Sequence, residues 1–232
     1  ILMGTKSRMD NTVTYQSPTF AGVTLYAQAS LKTSNQAYNK ADKKIVYDTD
    51  QEGSSDAERY YGLGAKFSAE GLNAGLVFST TDYSRNYVKQ DDDDNGYVVS
   101  GFVNYDFGIT KAFFGAQYGK NEALSVEALT GDEDSKIHVK GYNLHIGAAT
   151  PLPCGTLTVS AYYGDYEMVG HNEVTAKKYG IGLMHEYPLS KRTTFYTGAG
   201  FAQFDVEYEP ESGKVAARQK GVNVTLGLNH KF

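Results

Sequence analysis

The chain has 232 residues, enough for a sizeable core, yet only 41% are hydrophobic and no apolar run approaches the ~18 residues of a membrane-spanning helix, so helical insertion is excluded. A formal net charge of −5 argues against nucleic acid as a partner. Twenty-five Gly, 19 Tyr and 11 Phe without Trp suit strands that crowd small residues on one face and carry rings at membrane edges.

Read in chain order, the sequence opens with Ile1-Leu2-Met3-Gly4, which shows no charged region, apolar run or cleavage site of an export signal; the chain is mature or begins partway through a longer one. Eleven alternating segments then follow near residues 8–16, 23–31, 58–68, 72–83, 96–107, 110–120, 137–150, 156–167, 175–187, 192–204 and 219–232, and most are long enough to cross a membrane when tilted. The connections at 17–22, 69–71, 108–109, 151–155 and 188–191 are tight and carry Gly, Pro or Ser. Those at 32–57, 84–95, 121–136, 168–174 and 205–218 are longer and polar. Short turns on one rim and long loops on the other are the asymmetry of an outer-membrane barrel, which a soluble sandwich has no reason to adopt.

The faces alternate strand by strand. Val23, Leu25, Ala27 and Ala29 oppose Thr24, Gln28 and Ser30; Ala112, Phe114, Ala116 and Tyr118 oppose Lys111, Gln117 and Gly119; Leu157, Val159, Ala161 and Tyr163 oppose Thr158, Ser160 and Gly164. The last segment places Val222, Val224, Leu226, Leu228 and Phe232 on one face and Asn223, Thr225, Gly227, Asn229 and Lys231 on the other. Tyr26, Phe102, Phe113 and Met184 break the pattern by falling on the polar face, through packing beneath an inserted loop or a slip of register. The expected fold is all-β, an antiparallel meander closing into a transmembrane barrel, with residues 1–232 one partial domain. Eleven antiparallel strands cannot close with every neighbour antiparallel, so an odd number of strands is expected upstream.

Three stretches carry a family resemblance. Arg8-Met9-Asp10-Asn11-Thr12-Val13-Thr14-Tyr15-Gln16-Ser17-Pro18-Thr19-Phe20-Ala21-Gly22 resembles the mid-barrel segment of the general Gram-negative porins. Tyr187-Pro188-Leu189-Ser190-Lys191-Arg192-Thr193-Thr194-Phe195-Tyr196 resembles their penultimate hairpin, and Leu228-Asn229-His230-Lys231-Phe232 their terminal strand. The resemblance implies a trimeric, sixteen-stranded barrel of the Gram-negative outer membrane, passing small hydrophilic solutes and ions by passive diffusion. It further implies contact with bilayer and lipopolysaccharide, and recognition of Phe232 by the barrel-assembly machinery. The chain then covers the last eleven strands and lacks five. Thr14 departs from the pattern, since the family often carries a basic residue there.

Charges on the inner parity are the candidate pore-lining residues: Arg8, Lys66, Lys111, Lys178 and Arg192, opposed by Asp10, Asp106 and Glu186. Arg8 and Arg192 also stand at positions of the family motif; a turn-pairing role for Arg192 and rim positions for the lysines are the plainer readings. A metal site has only a weak candidate in Asp91, Asp93 and Asn95, because the position that should close a calcium loop with a bidentate Glu is Phe102. His138, His145, His171, His185 and His230 fall at no metal-ligand spacing, no nucleophile has an identifiable base, and Cys154, alone, reads as a turn residue. The sequence therefore points away from an enzyme and from any cofactor, toward a diffusion channel. A non-conducting barrel serving as adhesin or anchor, or a soluble β-sandwich binding protein, are the alternatives. Ion preference and solute specificity are not legible.

Overall fold

The computed structural model describes residues 9–33, 36–39, 44–47, 58–82, 95–125, 136–208 and 215–231. Among the described residues thirteen strands follow one another: β1 Thr12–Gln16, β2 Val23–Ser30, β3 Gln36–Asn39, β4 Lys44–Tyr47, β5 Arg59–Ala69, β6 Leu72–Asp82, β7 Gly96–Asp106, β8 Lys111–Ser125, β9 Lys136–Leu152, β10 Gly155–Met168, β11 His171–Ser190, β12 Thr193–Tyr208 and β13 Val215–His230. Eleven of them make one antiparallel meander in the order β1-β2-β5-β6-β7-β8-β9-β10-β11-β12-β13, with β1 and β13 as its edges. This is the all-β, nearest-neighbour architecture expected from the alternation.

The tight turns at 17–22, 70–71, 107–110, 153–154 and 191–192 share one rim, and glycine builds most of them. Gly22, Gly71, Gly108 and Gly155 all take positive φ, and at Gly155 an added Cβ would stand 2.0 Å from the Glu186 carbonyl oxygen. Three features of the opposite rim differ from the sequence reading. The connection expected at 168–174 is the two-residue turn Val169-Gly170, because Gly170 at φ +78 lets β10 and β11 stay paired almost to their ends. The 32–57 connection contains the separate hairpin β3–β4. Strands β8, β12 and β13 run farther toward this rim than their apolar alternation does, since backbone pairing does not require apolar side chains.

Burial is inverted relative to a water-soluble fold. Leu25, Leu63, Leu76, Ile146, Ile181, Val222, Val224 and Leu226 are all more than half exposed on one face, whereas the other buries Gln117, Asn143, Ser79 and Thr24. Water would penalise such a surface; hydrocarbon would not. The small buried apolar cluster of Val139, Tyr166 and Ala176, with Phe204 and Val206 packed against it, lies on the polar face, toward the long-loop rim.

Candidate functional site

Register fixes which side chains share a face, because partnered residues on adjacent antiparallel strands point the same way. On the apolar face, rings border the aliphatic band at both edges. Tyr97, Tyr118, Tyr142 and Tyr163 mark the long-loop edge, with ring centroids 6.2 Å apart for Tyr97–Tyr118 and for Tyr142–Tyr163. Tyr105, Phe107, Tyr187 and Phe195 mark the short-turn edge, Tyr105 and Phe107 meeting edge to face at 4.7 Å. Tyr97 and Tyr105 are the two borders of β7, and their separation of about 27 Å along the strand becomes about 20 Å once a barrel tilt is applied, close to the ~25 Å band of such barrels.

Beyond the long-loop edge the same face turns charged within one alternation. Tyr142 gives way to Lys140, which pairs with Glu167 at 2.8 Å, and Tyr163 to Asp165, which accepts its hydroxyl at 3.1 Å. Asp165, Lys177, Asp205 and Arg218 stand side by side across β10 to β13. Partial burial pushes the Asp205 carboxyl up, but hydrogen bonds from Arg218 at 2.7 Å and from Gln203 outweigh it and hold the carboxyl below its usual range.

The polar face is built from bulky residues placed opposite glycines. Tyr26 partners Gly64, Phe102 partners Gly75, Phe113 partners Gly147, and Met184 partners Gly198. The four large residues that broke the sequence pattern therefore do belong on this face, with no slip of register. The rings of Phe102 and Phe113 lie over Gly75 and Gly147, positions without a side chain, which is how a crowded wall accommodates them. Tyr196 over Gly227 and Tyr162 over Gly180 repeat the arrangement.

Of the candidate pore-lining residues, Lys66, Asp106, Lys111, Lys178 and Glu186 stand on this polar face. Asp106 and Lys111 are register partners at the start of a tight turn, where the Asp106 carboxylate also accepts the Gly108 amide at 2.8 Å. Lys66, partnered with Thr24 and Gly75, and Glu186, partnered with Thr156 and Tyr196, lie within a few positions of the same rim. Arg192 is in the Lys191-Arg192 turn itself, exposed, its carbonyl accepting the Lys231 amide at 2.9 Å. Lys178 stands apart, far up β11 between Gly164 and Phe204.

Asp10 precedes β1 in an exposed bend, and Asn11 at φ +50 interrupts the alternation between it and Thr12. Arg8, Asp91, Asp93 and Phe232 lie outside the described residues; Asn95 is exposed at the entry to β7. Among the described residues no group of three His, Cys, Asp or Glu could hold a metal.

Sequence reasoning missed a hydrogen-bonded row across β7 to β10. Gln117 donates to the Ser100 hydroxyl at 3.1 Å, Asn143 donates to the Gln117 carbonyl at 3.1 Å, and the Tyr166 hydroxyl donates to the Asn143 carbonyl. Gln117 is 2% exposed and Tyr166 3%. Their shared parity was visible as polar residues on the inner face, but nothing local signalled burial.

The model of the family described as Gram-negative porin matches residues 2–207. Among solved structures, the chain is similar to an anion-selective porin from Comamonas acidovorans (TM-score 0.62, 19% identity, 97% of this chain and 60% of that one). It is also similar to the outer membrane channel DcaP of Acinetobacter baumannii (TM-score 0.57, 13% identity, 94% and 61%) and to OmpT, an outer membrane protein of Vibrio cholerae (TM-score 0.57, 16% identity, 95% and 73%). The chain thus spans about 60% of the length of the first two. No curated protein matches it.

Proposed function

Because the chain belongs to the Gram-negative porin family, and so to the channels of the bacterial outer membrane, we propose that it supplies much of the wall of a passive diffusion pore for small hydrophilic solutes and ions. Solutes cross down their own gradient, selected by pore width and wall charge, with no chemistry performed on them. The observation that carries this reading is the two-faced sheet: an aromatic-bordered apolar face suited to lipid, backed by a polar face that bears Lys66, Asp106, Lys111, Lys178 and Glu186.

Residues 1–232 form part of a single barrel domain in this proposal, and Arg8, Asp10 and Arg192 contribute charge near the pore. The partners are bilayer lipid, lipopolysaccharide at the charged long-loop edge, two further copies in a trimer, and the assembly machinery acting at Phe232. Reconstituting the full-length protein into liposomes and following osmotic swelling with sugars of increasing size tests the channel. Swelling that declines with solute size supports it. An assembled protein that leaves the liposomes sealed to the smallest sugars favours a structural anchor instead.

A further inference from the structure

We propose that Lys178 heads a subsite on the polar face for a small monocarboxylate with an apolar body. This deepens the pore-wall reading above and rests on it. Lys178 is half-buried, with Gly164 on one side and Phe204 on the other. Among the described residues, no carboxylate or hydrogen-bond acceptor engages its ammonium group.

This differs from the other charges of the face. Asp106 and Lys111 stand opposite each other, and Lys66 and Glu186 are beside the turn rim, where water is near. A partly desolvated ammonium without a protein counter-charge favours an anion from solution.

The neighbours define which anion. Tyr166 commits its hydroxyl to Asn143, and the Asn143 amide is committed to Gln117, so two polar groups nearest Gly164 are already satisfied. The rest of the wall around Lys178 is largely carbon: Phe204, the ring of Tyr162, which reaches over Gly180 and ends in a hydroxyl, and the edge of the Val139–Tyr166–Ala176 cluster. A lysine is a compact point charge that serves one oxyanion well, and one cation is half of what a phosphate dianion needs. A carboxylate bound to a ring or short alkyl chain therefore fits both halves of the site, whereas acetate uses only one.

The test is calorimetric titration of the full-length protein, folded in detergent at low ionic strength, with sodium benzoate and with sodium acetate. Benzoate should bind saturably and more tightly than acetate. Lys178→Gln should weaken benzoate about tenfold or more, while Lys178→Arg keeps it within about threefold. Phe204→Leu should weaken benzoate with little effect on acetate. Benzoate binding that is absent, or unchanged in Lys178→Gln, overturns the subsite, as does equal affinity for the two anions. Conductance of the same preparations in planar bilayers separates the two ideas: a conducting protein without benzoate binding loses only the subsite, and a benzoate-binding protein that never conducts loses the channel.

Discussion

Phe113 on β8 lies with its ring directly across Gly147 on β9: a Cβ added to Gly147 would stand 2.3 Å from the Phe113 ring and 2.6 Å from the Val159 carbonyl oxygen. The ring can turn aside but the backbone cannot, so Gly147→Ala should destabilise the folded protein by about 1–3 kcal/mol. Gly101, whose nearest neighbours would be at 3.7 Å, should accept Ala with little change. Urea midpoints of the two variants, read from loss of the heat-modifiable folded band, check the contrast; equal midpoints would show that ring and glycine are not locked together.

Asp205 and Arg218 link β12 to β13 just outside the apolar band, with the Asp205 carboxyl held below its usual range. A depressed folded-state value means that the pairing contributes above the unfolded value of about 4 and is lost as pH falls through the folded one. Asp205→Asn should therefore lower the urea midpoint at pH 7, and the gap from the unaltered protein should close below about pH 4. Arg218 is well exposed, so the effect should be small and shrink in high salt. A gap that stays constant down to pH 3 would assign the loss to something other than the ion pair.

How much of this was legible in the sequence depends on the range of the forces involved. Strand order and the lipid-facing residues follow from period-two alternation and from turn glycines such as Gly71 and Gly108, both local signals. The long-loop rim was misread at Met168-Val169-Gly170-His171, since polar residues beside a glycine suit an open loop and an extended hairpin equally, and cross-strand pairing alone decides. The matching of Phe102, Phe113, Met184 and Tyr26 to glycines is a relation between strands that no single segment contains. Nor can a single segment show that Gln117 and Asn143 would be buried, or that Lys178 would stand without a counter-charge among the described residues while Lys111 faces Asp106. Charge identity was visible; charge environment was not.

Ile146 is 61% exposed, near the middle of the apolar face, with Phe114 and Ala161 beside it. Ile146→Arg should reduce stability in vesicles by about 2–4 kcal/mol, the cost of a cation at mid-depth in hydrocarbon. His145, one position away, faces the opposite side of the sheet, and His145→Arg should leave vesicle insertion near normal. If both substitutions insert equally well, the apolar face does not meet lipid.

Asn143 occupies the centre of the buried row, donating to Gln117 and accepting from Tyr166. Asn143→Leu keeps roughly the same volume but strands two buried polar groups, at a cost of about 1–3 kcal/mol each where water cannot reach them. Tyr166→Phe removes only the terminal hydroxyl and should cost less. A double-mutant cycle on urea midpoints would show coupling between the two positions; strictly additive losses would mean the row is a set of independent contacts.

Wall charge should act on permeating ions in proportion to how poorly it is screened. Lys178 is half-buried and far from the short-turn rim, whereas Lys111 is exposed beside the turn and faces Asp106. In the full-length protein, Lys178→Glu should therefore shift the reversal potential toward cations under a salt gradient more strongly than Lys111→Glu, because solvent and a neighbouring carboxylate already mute the field of Lys111. Raising the salt should shrink both shifts, since the screening length falls from ~10 Å at 0.1 M to ~3 Å at 1 M. Reversal potentials in planar bilayers at two salt levels measure this directly. A larger shift from Lys111→Glu would mean that the selective part of the pore lies at the short-turn rim, and an unmoved potential in both would remove these lysines from the conduction path.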